Sequence, residues 1–522
     1  MGNPSVGLVA CEGENSGGRS SVELPKPANH HYMFAAIVTK DISYATSTRP
    51  LWTDPTRRAA TLGLISAILL YICFGLIHVF ALHIYKPGDE KRHTQYVVVL
   101  ESQGRLPTIE ETRAASHPPL YYGLIAKTVM RGVESTDGIG QKVRWARIIS
   151  LAFGAIALIY AFLIIRLLLP GYPALAVHAT AIMAVIPSYA NVSAALGNDS
   201  LALASQFAMI YAALVVLLRG PNWSRCLQLA LYLSIAALTR VSGVLVIPTA
   251  LLAVVAGAWW HLEGSRSRRA GLALLIAGTL LASVVLSSGW FYLRNVSTSG
   301  DPTGQSAILE QVRYHPVRSA LAVIFDGSKW LKIHDETWGR LAGLVSIKGS
   351  LLQFARLLTV ISVAGAVVSL WRARIWQGLR DWRTPRFFSW VILAGVFASV
   401  FIPALVYHAR GGGLHQRYLF GALYVWTLVF AVGFTWTKQN LAPIAGYCAT
   451  FMLCYSLHVT YAALIVKRVK TFPIEQALGN AFRHPGAWTL WLMVWLTLGF
   501  VGVIYALAQL HRPLADNVSS VS

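Results

Sequence analysis

The sequence predicts an all-α polytopic membrane protein with about 12 transmembrane helices (11–13) and two long outer loops that carry juxtamembrane helices. Of its 522 residues, 55% are hydrophobic and only 13% are charged, whereas soluble proteins usually carry about 25% charged residues. The mean hydropathy is +0.54. Long apolar runs recur at the length of roughly 20 residues that a helix needs to cross a bilayer. These observations exclude a soluble enzyme, a disordered protein and a secreted disulfide scaffold.

The apolar runs set the predicted spans. They cover residues 60–83, 147–169, 174–190, 199–218, 226–239, 242–261, 270–292, 352–371, 387–407, 416–436, 441–466 and 486–508. The runs at 174–190 and 226–239 are short, which is why the predicted count stays between about 11 and 13.

The basic residues predict the orientation of the chain. Lys and Arg number 44 against 22 Asp and Glu, a net charge of +22. No basic stripe interleaved with aromatics accompanies this charge, so we expect no nucleic-acid partner and expect membrane lipid instead. Short connections such as 266–269 and 372–386 are rich in arginine, which the positive-inside rule places in the cytoplasm. The long connections 85–146 and 293–351 then lie outside; only the basic segment 467–483 disagrees.

An acidic pair follows the first span. Asp89 and Glu90 come directly after Pro87-Gly88, a pair that favours a turn, and His93 follows. A carboxylate held against an apolar boundary has a raised proton affinity and suits general-base work. The alternative is a solvated charge cluster that ends the helix.

Two further motifs lie near predicted span ends. His117 precedes a double proline and the short apolar stretch 118–130, which we expect to form an interfacial helix with Tyr121 and Tyr122 at headgroup level. Here the histidine is a ligand, a proton relay or a helix-start residue. Asn198-Asp199 opens the fourth span, either as a helix cap or as a functional carboxylate at a membrane boundary.

Two arginine sites complete the pattern. Arg294-Asn295 ends the seventh span, and Arg417-Tyr418 follows the glycine-rich segment 407–415. A guanidinium matches phosphate oxygens with a fork of donors, so both sites are candidates for phosphate binding. The alternatives are snorkelling of Arg294 to the interface and a merely flexible loop around Arg417.

The order of these motifs resembles the GT-C superfamily of polytopic glycosyltransferases, which includes the protein O-mannosyltransferases and the aminoarabinose transferase of lipid A. The resemblance covers about residues 60–436 and is carried by five motifs. These are Asp89-Glu90 with His93, the His117 to Tyr122 segment, Gly197 to Ser200, Trp290 to Asn295 with Gly300 to Pro302, and Gln416 to Tyr418.

The resemblance implies an enzyme that moves a sugar from a polyprenyl-phosphate-linked donor to a hydroxyl of a lipid, glycan or protein acceptor, with inversion. It implies Asp89 as the catalytic base. The implied substrate-binding residues are Glu90, His93, His117, Tyr121, Asn198, Asp199, Arg294, Asn295, Arg417 and Tyr418. The sequence holds no Asp-x-Asp motif, so we expect no metal site and no cofactor.

The predicted organisation has three parts. Residues 1–59 form a cytoplasmic, largely disordered tail, residues 60–436 a transmembrane catalytic region, and residues 437–522 the C-terminal transmembrane helices with a short tail. We expect a bacterial inner (plasma) membrane protein with its active site on the outer side.

Two rival functions stay open at this stage. A secondary transporter is predicted to carry charged or broken helices at the bilayer midplane, for which Arg240 and Pro248 are the nearest candidates. A lipopolysaccharide ligase or polymerase also uses lipid-linked sugars, but depends on arginine and histidine of the outer loops rather than on a carboxylate.

Overall fold

The computed structural model describes residues 54–85, 89–312, 314–341, 345–346, 349–372, 384–435, 441–469 and 485–511. This part of the chain is almost entirely helical. Its one β-structure is a two-residue antiparallel ladder that pairs Arg340–Leu341 with Val345–Ser346. The predicted all-α class is confirmed.

The helices are numbered in chain order. The first six are α1 (Pro55–Ala81), α2 (Glu90–Gln103), α3 (Leu120–Lys127), α4 (Gly140–Leu168), α5 (Pro173–Val185) and α6 (Pro187–Ser193). The next seven are α7 (Asp199–Arg219), α8 (Trp223–Thr239), α9 (Val241–His261), α10 (Arg266–Ser299), α11 (Gln305–Gln311), α12 (Ala320–Ile324) and α13 (Gly327–Gly339). The last five are α14 (Ser350–Arg372), α15 (Pro385–Ala409), α16 (Leu423–Gly433), α17 (Ala442–Val469) and α18 (Pro485–His511). Short 3-10 helices cover Arg113–Ser116 and Gln416–Ala422.

Within the described residues, nine helices are long and apolar enough to cross a membrane: α1, α4, α7, α9, α10, α14, α15, α17 and α18. The bent pair α5–α6 brings the number to ten if it counts as one span. The nine helices coincide with nine of the predicted spans, but the predicted count of about 12 is not reached in this part of the chain.

Three predicted spans do not form one long helix each. The run 174–190 bends by 67° between α5 and α6, because Ile186 precedes Pro187 and is held out of the helical region. The run 226–239 lies in α8, which has 17 residues. The run 416–436 starts as a 3-10 helix and continues as α16, with 11 residues.

Helix α7 is the most deeply buried of the described spans. It packs between α4 on one side and α8 and α9 on the other. A second layer is formed by α1, α5 and α18, which pack on one another, and α1 and α5 of this layer contact α4. Because α7 is surrounded by other helices, the side chains of its first residues face protein rather than lipid.

Helix α3 corrects the prediction of an interfacial helix over 118–130. Tyr121 and Tyr122 are fully buried inside the protein, so neither ring faces lipid headgroups. The Tyr121 hydroxyl lies 2.6 Å from Ser150 Oγ, and the Tyr122 ring stacks on Tyr96 with centroids 3.8 Å apart. Each ring finds protein partners on α2 or α4, which explains why α3 folds inward.

The two predicted long loops meet at one end of the helix bundle. Arg294, near the end of α10, donates to the Pro107 carbonyl oxygen at 2.6 Å. The Tyr314 N–H donates to the Gly411 carbonyl oxygen at 2.9 Å. The described parts of the loops 85–146 and 293–351 and the segment after α15 therefore contact one another and form a layer of loops at this end.

Some predictions fall outside the described residues. They are the turn at Pro87-Gly88, the tail up to residue 53, the basic connection over 373–383 and most of the segment 467–483.

Candidate functional site

A cavity of about 280 Å³ lies beneath the layer of loops. Its walls come from α2, the start of α7, the junction of α8 and α9, the C-terminal half of α15 and the 3-10 helix Gln416–Ala422. Seven of the predicted site residues line it: Asp89, His93, His117, Asn198, Asp199, Arg417 and Tyr418. Residues more than 300 positions apart in the chain are thereby brought together.

Asp89 is held between two arginines. It directly precedes α2 and makes no side-chain cap for that helix. Its Oδ1 accepts from Arg92 at 2.6 Å, and its Oδ2 accepts from Arg417 Nη2 at 2.5 Å. Burial alone would raise the pKa of this carboxyl, but the charge and hydrogen bond of Arg417 outweigh it and hold the pKa well below its usual value. Asp89 is therefore ionised.

Asp199 is the second carboxylate of the cavity. It opens α7 and forms a buried ion pair with Arg240, while Arg417 Nη1 lies 3.8 Å from its Oδ2. The capping alternative for Asn198 is not what the structure shows, since its side chain makes no cap hydrogen bond. The Asn198 amide donates instead to the Thr239 carbonyl oxygen at 2.8 Å. The start of α7 is thus tied to the end of α8.

The cavity holds arginines that the sequence analysis did not select. Arg92, Arg113 and Arg240 line it together with Arg417. With two carboxylates present, the lining carries a formal excess of two positive charges when the histidines are neutral. The sequence feature that could have identified Arg240 is its position between the apolar runs 226–239 and 242–261, where a charged side chain needs a partner. Arg92 and Arg113 lie in a loop already rich in charge, so nothing in the sequence distinguishes them.

The two predicted histidines form a buried, uncharged wall. His93 Nδ1 lies 2.7 Å from the Tyr122 hydroxyl, and the His93 ring stacks on His117 with centroids 5.9 Å apart. Burial lowers the pKa of His93 to about 4, against a smaller opposing effect of Asp89. Burial also lowers the pKa of His117 well below its usual value. Both rings are neutral at physiological pH and contribute stacking and hydrogen bonding rather than charge.

Glu90 does not line the cavity. Its Oε1 and Oε2 accept from Arg147 at 2.7 and 2.6 Å, and both side chains are completely buried. Its carboxylate also accepts from the Tyr85 N–H at 2.8 Å and the Leu196 N–H at 2.9 Å. The remaining Arg147 donors bind the carbonyl oxygens of Val79, Leu82 and His83. With these bonds in place, Glu90 has a structural role.

Three other predicted residues also lie outside the cavity lining. Tyr121 accepts from the Gly197 N–H at 3.1 Å, beneath the cavity wall. Arg294 is bound to the Pro107 carbonyl oxygen, as described above, and Asn295 donates to the Pro302 carbonyl oxygen at 3.1 Å. Arg294 and Asn295 hold the two long loops to α10.

The glycine-rich segment after α15 brings Arg417 to the cavity. Gly411 has a φ of +101°, a region that favours glycine. A Cβ on Gly412 would overlap the ring of Tyr407, a cavity residue. The segment is pinned from outside by His315, whose Nε2 lies 2.9 Å from His408 Nδ1. These contacts make the segment an ordered wall rather than a merely flexible loop.

Chemically, the cavity offers an ionised carboxylate beside a cluster of guanidinium groups. Such a cluster can hold an anion, and the carboxylate can accept a proton once its arginine partners turn to that anion. Among the described residues, no group of three or more His, Cys, Asp or Glu side chains is placed to hold a metal ion.

The fold and the cavity define a polytopic membrane protein with a cavity lined by carboxylates and guanidinium groups at one end of its helix bundle. Residues 118–287 match the family model described as dolichyl-phosphate-mannose-protein mannosyltransferase. This match confirms the predicted resemblance to the GT-C superfamily and the enzyme class, a glycosyltransferase. The matched segment contains Asp199 and Arg240; Asp89 and Arg417 lie outside it.

No curated protein is significantly similar in sequence to this chain. Among solved structures, the chain is similar to ArnT from Cupriavidus metallidurans bound to undecaprenyl phosphate, with 14% identity over 87% of this chain and 78% of that chain and a TM-score of 0.39. For ArnT from the same organism in the apo state, identity is 15% over 85% of this chain and 76% of that chain, with a TM-score of 0.40. At this similarity neither structure indicates a function for this chain.

The buried ion pair generates the first prediction. Glu90→Gln should destabilise the protein by about 3–5 kcal/mol, because it leaves the Arg147 guanidinium buried without its countercharge. Asp89→Asn should fold normally, since Asp89 is partly exposed and its arginines can reach solvent. Thermal unfolding of the two purified variants in detergent measures the difference. Equal stability of the two would contradict the structural role of Glu90.

Proposed function

We propose that the protein transfers a sugar from a polyprenyl-phosphate-linked donor to an acceptor hydroxyl on the outer face of the membrane, with inversion at the anomeric carbon and with Asp89 as the base. The observation that carries this proposal is the Asp89–Arg417 ion pair in the cavity wall. It sets a proton acceptor directly beside a phosphate-binding group. The matched family model supports the donor class, because its description names a sugar linked to a polyprenyl phosphate.

The arginines suit the leaving group. As the anomeric carbon–oxygen bond breaks, its electron pair leaves with the phosphate, which gains one negative charge. Arg417 and its neighbours face that charge from fixed positions, and groups of this kind stabilise a transition state because they need no reorganisation. The formal excess of two positive charges on the lining matches a phosphate monoester dianion.

Asp89 is placed to remove the proton of the acceptor hydroxyl. In the resting site its proton affinity is low because Arg417 and Arg92 share its oxygens. A donor phosphate competes for the same guanidinium groups, and each bond that moves to phosphate raises the proton affinity of Asp89. The carboxylate then takes the hydroxyl proton while the acceptor oxygen attacks the anomeric carbon from the face opposite the phosphate.

Asp89→Asn tests the base directly. The amide has nearly the same shape but cannot accept a proton, so transfer should fall by about 10²–10⁴-fold or more. Binding of undecaprenyl phosphate should stay equal or become tighter, because the carboxylate no longer competes for Arg417. Mass spectrometry of envelope glycans compares cells lacking the protein with cells complemented by each variant, and thermal shift measures phosphate binding.

Glu134→Gln is the matched control, since Glu134 is an exposed carboxylate of the same loop. It should leave the glycan unchanged. An Asp89→Asn protein that folds and still restores the glycan fully would rule out the base assignment.

The two predicted arginine sites provide a paired test of phosphate binding. Arg417→Ala should weaken binding of undecaprenyl phosphate by roughly 10- to 100-fold, the equivalent of a charge-assisted bond of about 1.5–3 kcal/mol. Arg294→Ala should leave that affinity nearly unchanged, because its guanidinium is bound to the Pro107 carbonyl oxygen outside the cavity. Titration of both purified variants in detergent gives the answer. Equal losses in the two variants would contradict the cavity as the phosphate site.

The orientation is tested by labelling. We expect Ser102→Cys, on the exposed end of α2, to react with an impermeant thiol reagent in intact cells. Ser267→Cys, exposed at the opposite end of the bundle at the start of α10, should react only after lysis. Both are introduced after replacement of the native cysteines. The reverse pattern would place the cavity on the cytoplasmic side.

A further inference from the structure

Arg240 occupies a tight elbow between two helices. It is the single residue between α8 and α9 and has an extended backbone, with φ −160° and ψ 147°. Its N–H donates to the Ala236 carbonyl oxygen at 3.2 Å, and its own carbonyl oxygen accepts from the Gly243 N–H at 2.9 Å. A Cβ on Gly243 would overlap the Ala236 backbone, so glycine is needed for the helices to meet this closely. The elbow therefore fixes the position of the Arg240 backbone.

The start of α7 is docked on this elbow. The Asn198 amide donates to the Thr239 carbonyl oxygen, as described above, and Gln206 Nε2 donates to Ser242 Oγ at 2.7 Å. These bonds lie on either side of Arg240 in sequence. They bring Asp199 against the Arg240 guanidinium in a largely buried ion pair.

The charged groups of the site alternate in sign along a ladder. In order, the ladder consists of Arg240, Asp199, Arg417, Asp89 and Arg92. Arg417 lies between two carboxylates, but unequally: its Nη2 is 2.5 Å from Asp89, and its Nη1 is 3.8 Å from Asp199. Since Asp199 already has Arg240 as a close partner, Arg417 is free to bind Asp89 more closely.

We propose that Arg240 is a positioning residue that neutralises Asp199 and thereby keeps the Arg417 guanidinium on Asp89. Its consequence for catalysis rests on the proposed function of Asp89. Its effect on the ionisation of Asp89 does not, and can be measured without any substrate.

The direction of the effect follows from the ladder. Without Arg240, Asp199 is left with Arg417 as its cation, so Arg417 is drawn away from Asp89. Because the ion pair between Asp89 and Arg417 is weakened, Asp89 is easier to protonate. Its titration midpoint therefore moves to higher pH. An opposite charge within hydrogen-bond range usually changes a carboxyl pKa by about 1–3 units, so a shift of about one pH unit is expected.

The other groups around Asp89 are kept in Arg240→Gln, so they do not by themselves produce a difference in its midpoint. The titratable and charged groups that interact with Asp89 or line the same cavity are Arg92, His93, Arg113, His117, Tyr122, Asp199, Arg240, Tyr314, Tyr407, His415, Arg417 and Tyr418. Burial lowers the pKa of His93 to about 4 and that of His117 well below its usual value. The His93 ring therefore gains its charge in the same acid range in which Asp89 titrates, and comparing variants that all keep both rings isolates the effect of Arg240. The tyrosines stay neutral in acid.

Infrared difference spectroscopy of the full-length protein in detergent measures the effect. The carboxylic-acid band that appears on acidification is assigned to Asp89 by its absence in Asp89→Asn. In Arg240→Gln this band should appear at a pH about one unit higher than in the wild type. Arg113→Gln removes an equal charge from the same cavity wall but lies outside the ladder, and should cause a smaller shift.

A double-mutant cycle separates the ladder from simple charge removal. In an Asp199→Asn background no carboxylate competes for Arg417, so adding Arg240→Gln should move the Asp89 midpoint much less than it does in the wild type. Two charges that act independently on Asp89 would give the same shift in both backgrounds. Equal shifts, or a shift no larger than that of Arg113→Gln, would overturn the inference.

Two further outcomes are informative. If Arg240→Gln does not fold, Arg240→Lys gives the same test with a smaller upward shift, because Lys keeps the charge but lacks the fork; an unchanged midpoint in that variant also overturns the inference. If the midpoints follow the prediction but Asp89→Asn still transfers sugar, the ladder stands and the proposed function fails.

Discussion

The arrangement of the site depends on the buried ion pair between Glu90 and Arg147. This pair joins four parts of the chain: the last turn of α1, the start of α2, the start of α4 and the backbone before α7. A buried charge is costly without a partner, so each part is held in the register that keeps both charges satisfied. Asp89 directly precedes Glu90, and this anchored position gives the Asp89 carboxylate its place at the cavity wall.

Adjacent carboxylates therefore serve different purposes. The Glu90 carboxylate accepts hydrogen bonds from protein N–H groups and is buried, so a substrate cannot reach it. Asp89 shares its oxygens with Arg92 and Arg417, both of which also line the cavity. The resemblance selected Asp89 as the base, but the sequence did not show that Glu90 is buried in a structural ion pair, because its partner Arg147 lies 57 positions further along the chain.

The sequence shows where a residue lies along the chain but not which distant residue it contacts, and this explains which site residues were predicted correctly. Asp89, Asp199 and Arg417 were selected because each lies near the end of an apolar run. Span ends on the same side of the membrane lie at the same end of the helix bundle, so these residues were expected to be close together. Arg294 satisfied that criterion equally well, yet it is bound to the loop backbone at Pro107. Apolar runs fix which end of the bundle a residue occupies, but not its direction around the helix axis. Tyr121 and Tyr122 show this too, since their partners on α2 and α4 become visible only after packing.

The span count shows where hydropathy alone falls short. The nine long helices follow directly from apolar runs, because a run of about 20 residues has few other ways to satisfy its backbone in lipid. Two of the three predicted spans that differ contain a local feature that competes with a straight helix, while the third, 226–239, lies in the continuous but shorter α8. Pro187 breaks α5 from α6, and the 3-10 helix before α16 carries Arg417 and Tyr418 toward the cavity. At that point the chain departs from a regular α-helix and places both side chains in the cavity lining.

Sharing one arginine between a carboxylate and a phosphate couples donor binding to base strength in the proposed reaction. In the resting site Arg417 keeps Asp89 ionised but weakly basic. Donor phosphate that attracts Arg417 makes Asp89 a stronger base, and by linkage a protonated Asp89 releases Arg417 for phosphate. The acid and the phosphate therefore compete for one cation rather than acting separately. On this proposal, base strength would develop only where a sugar phosphate is bound, and the spacing of Asp89, Arg417 and Asp199 would control both donor recognition and proton transfer.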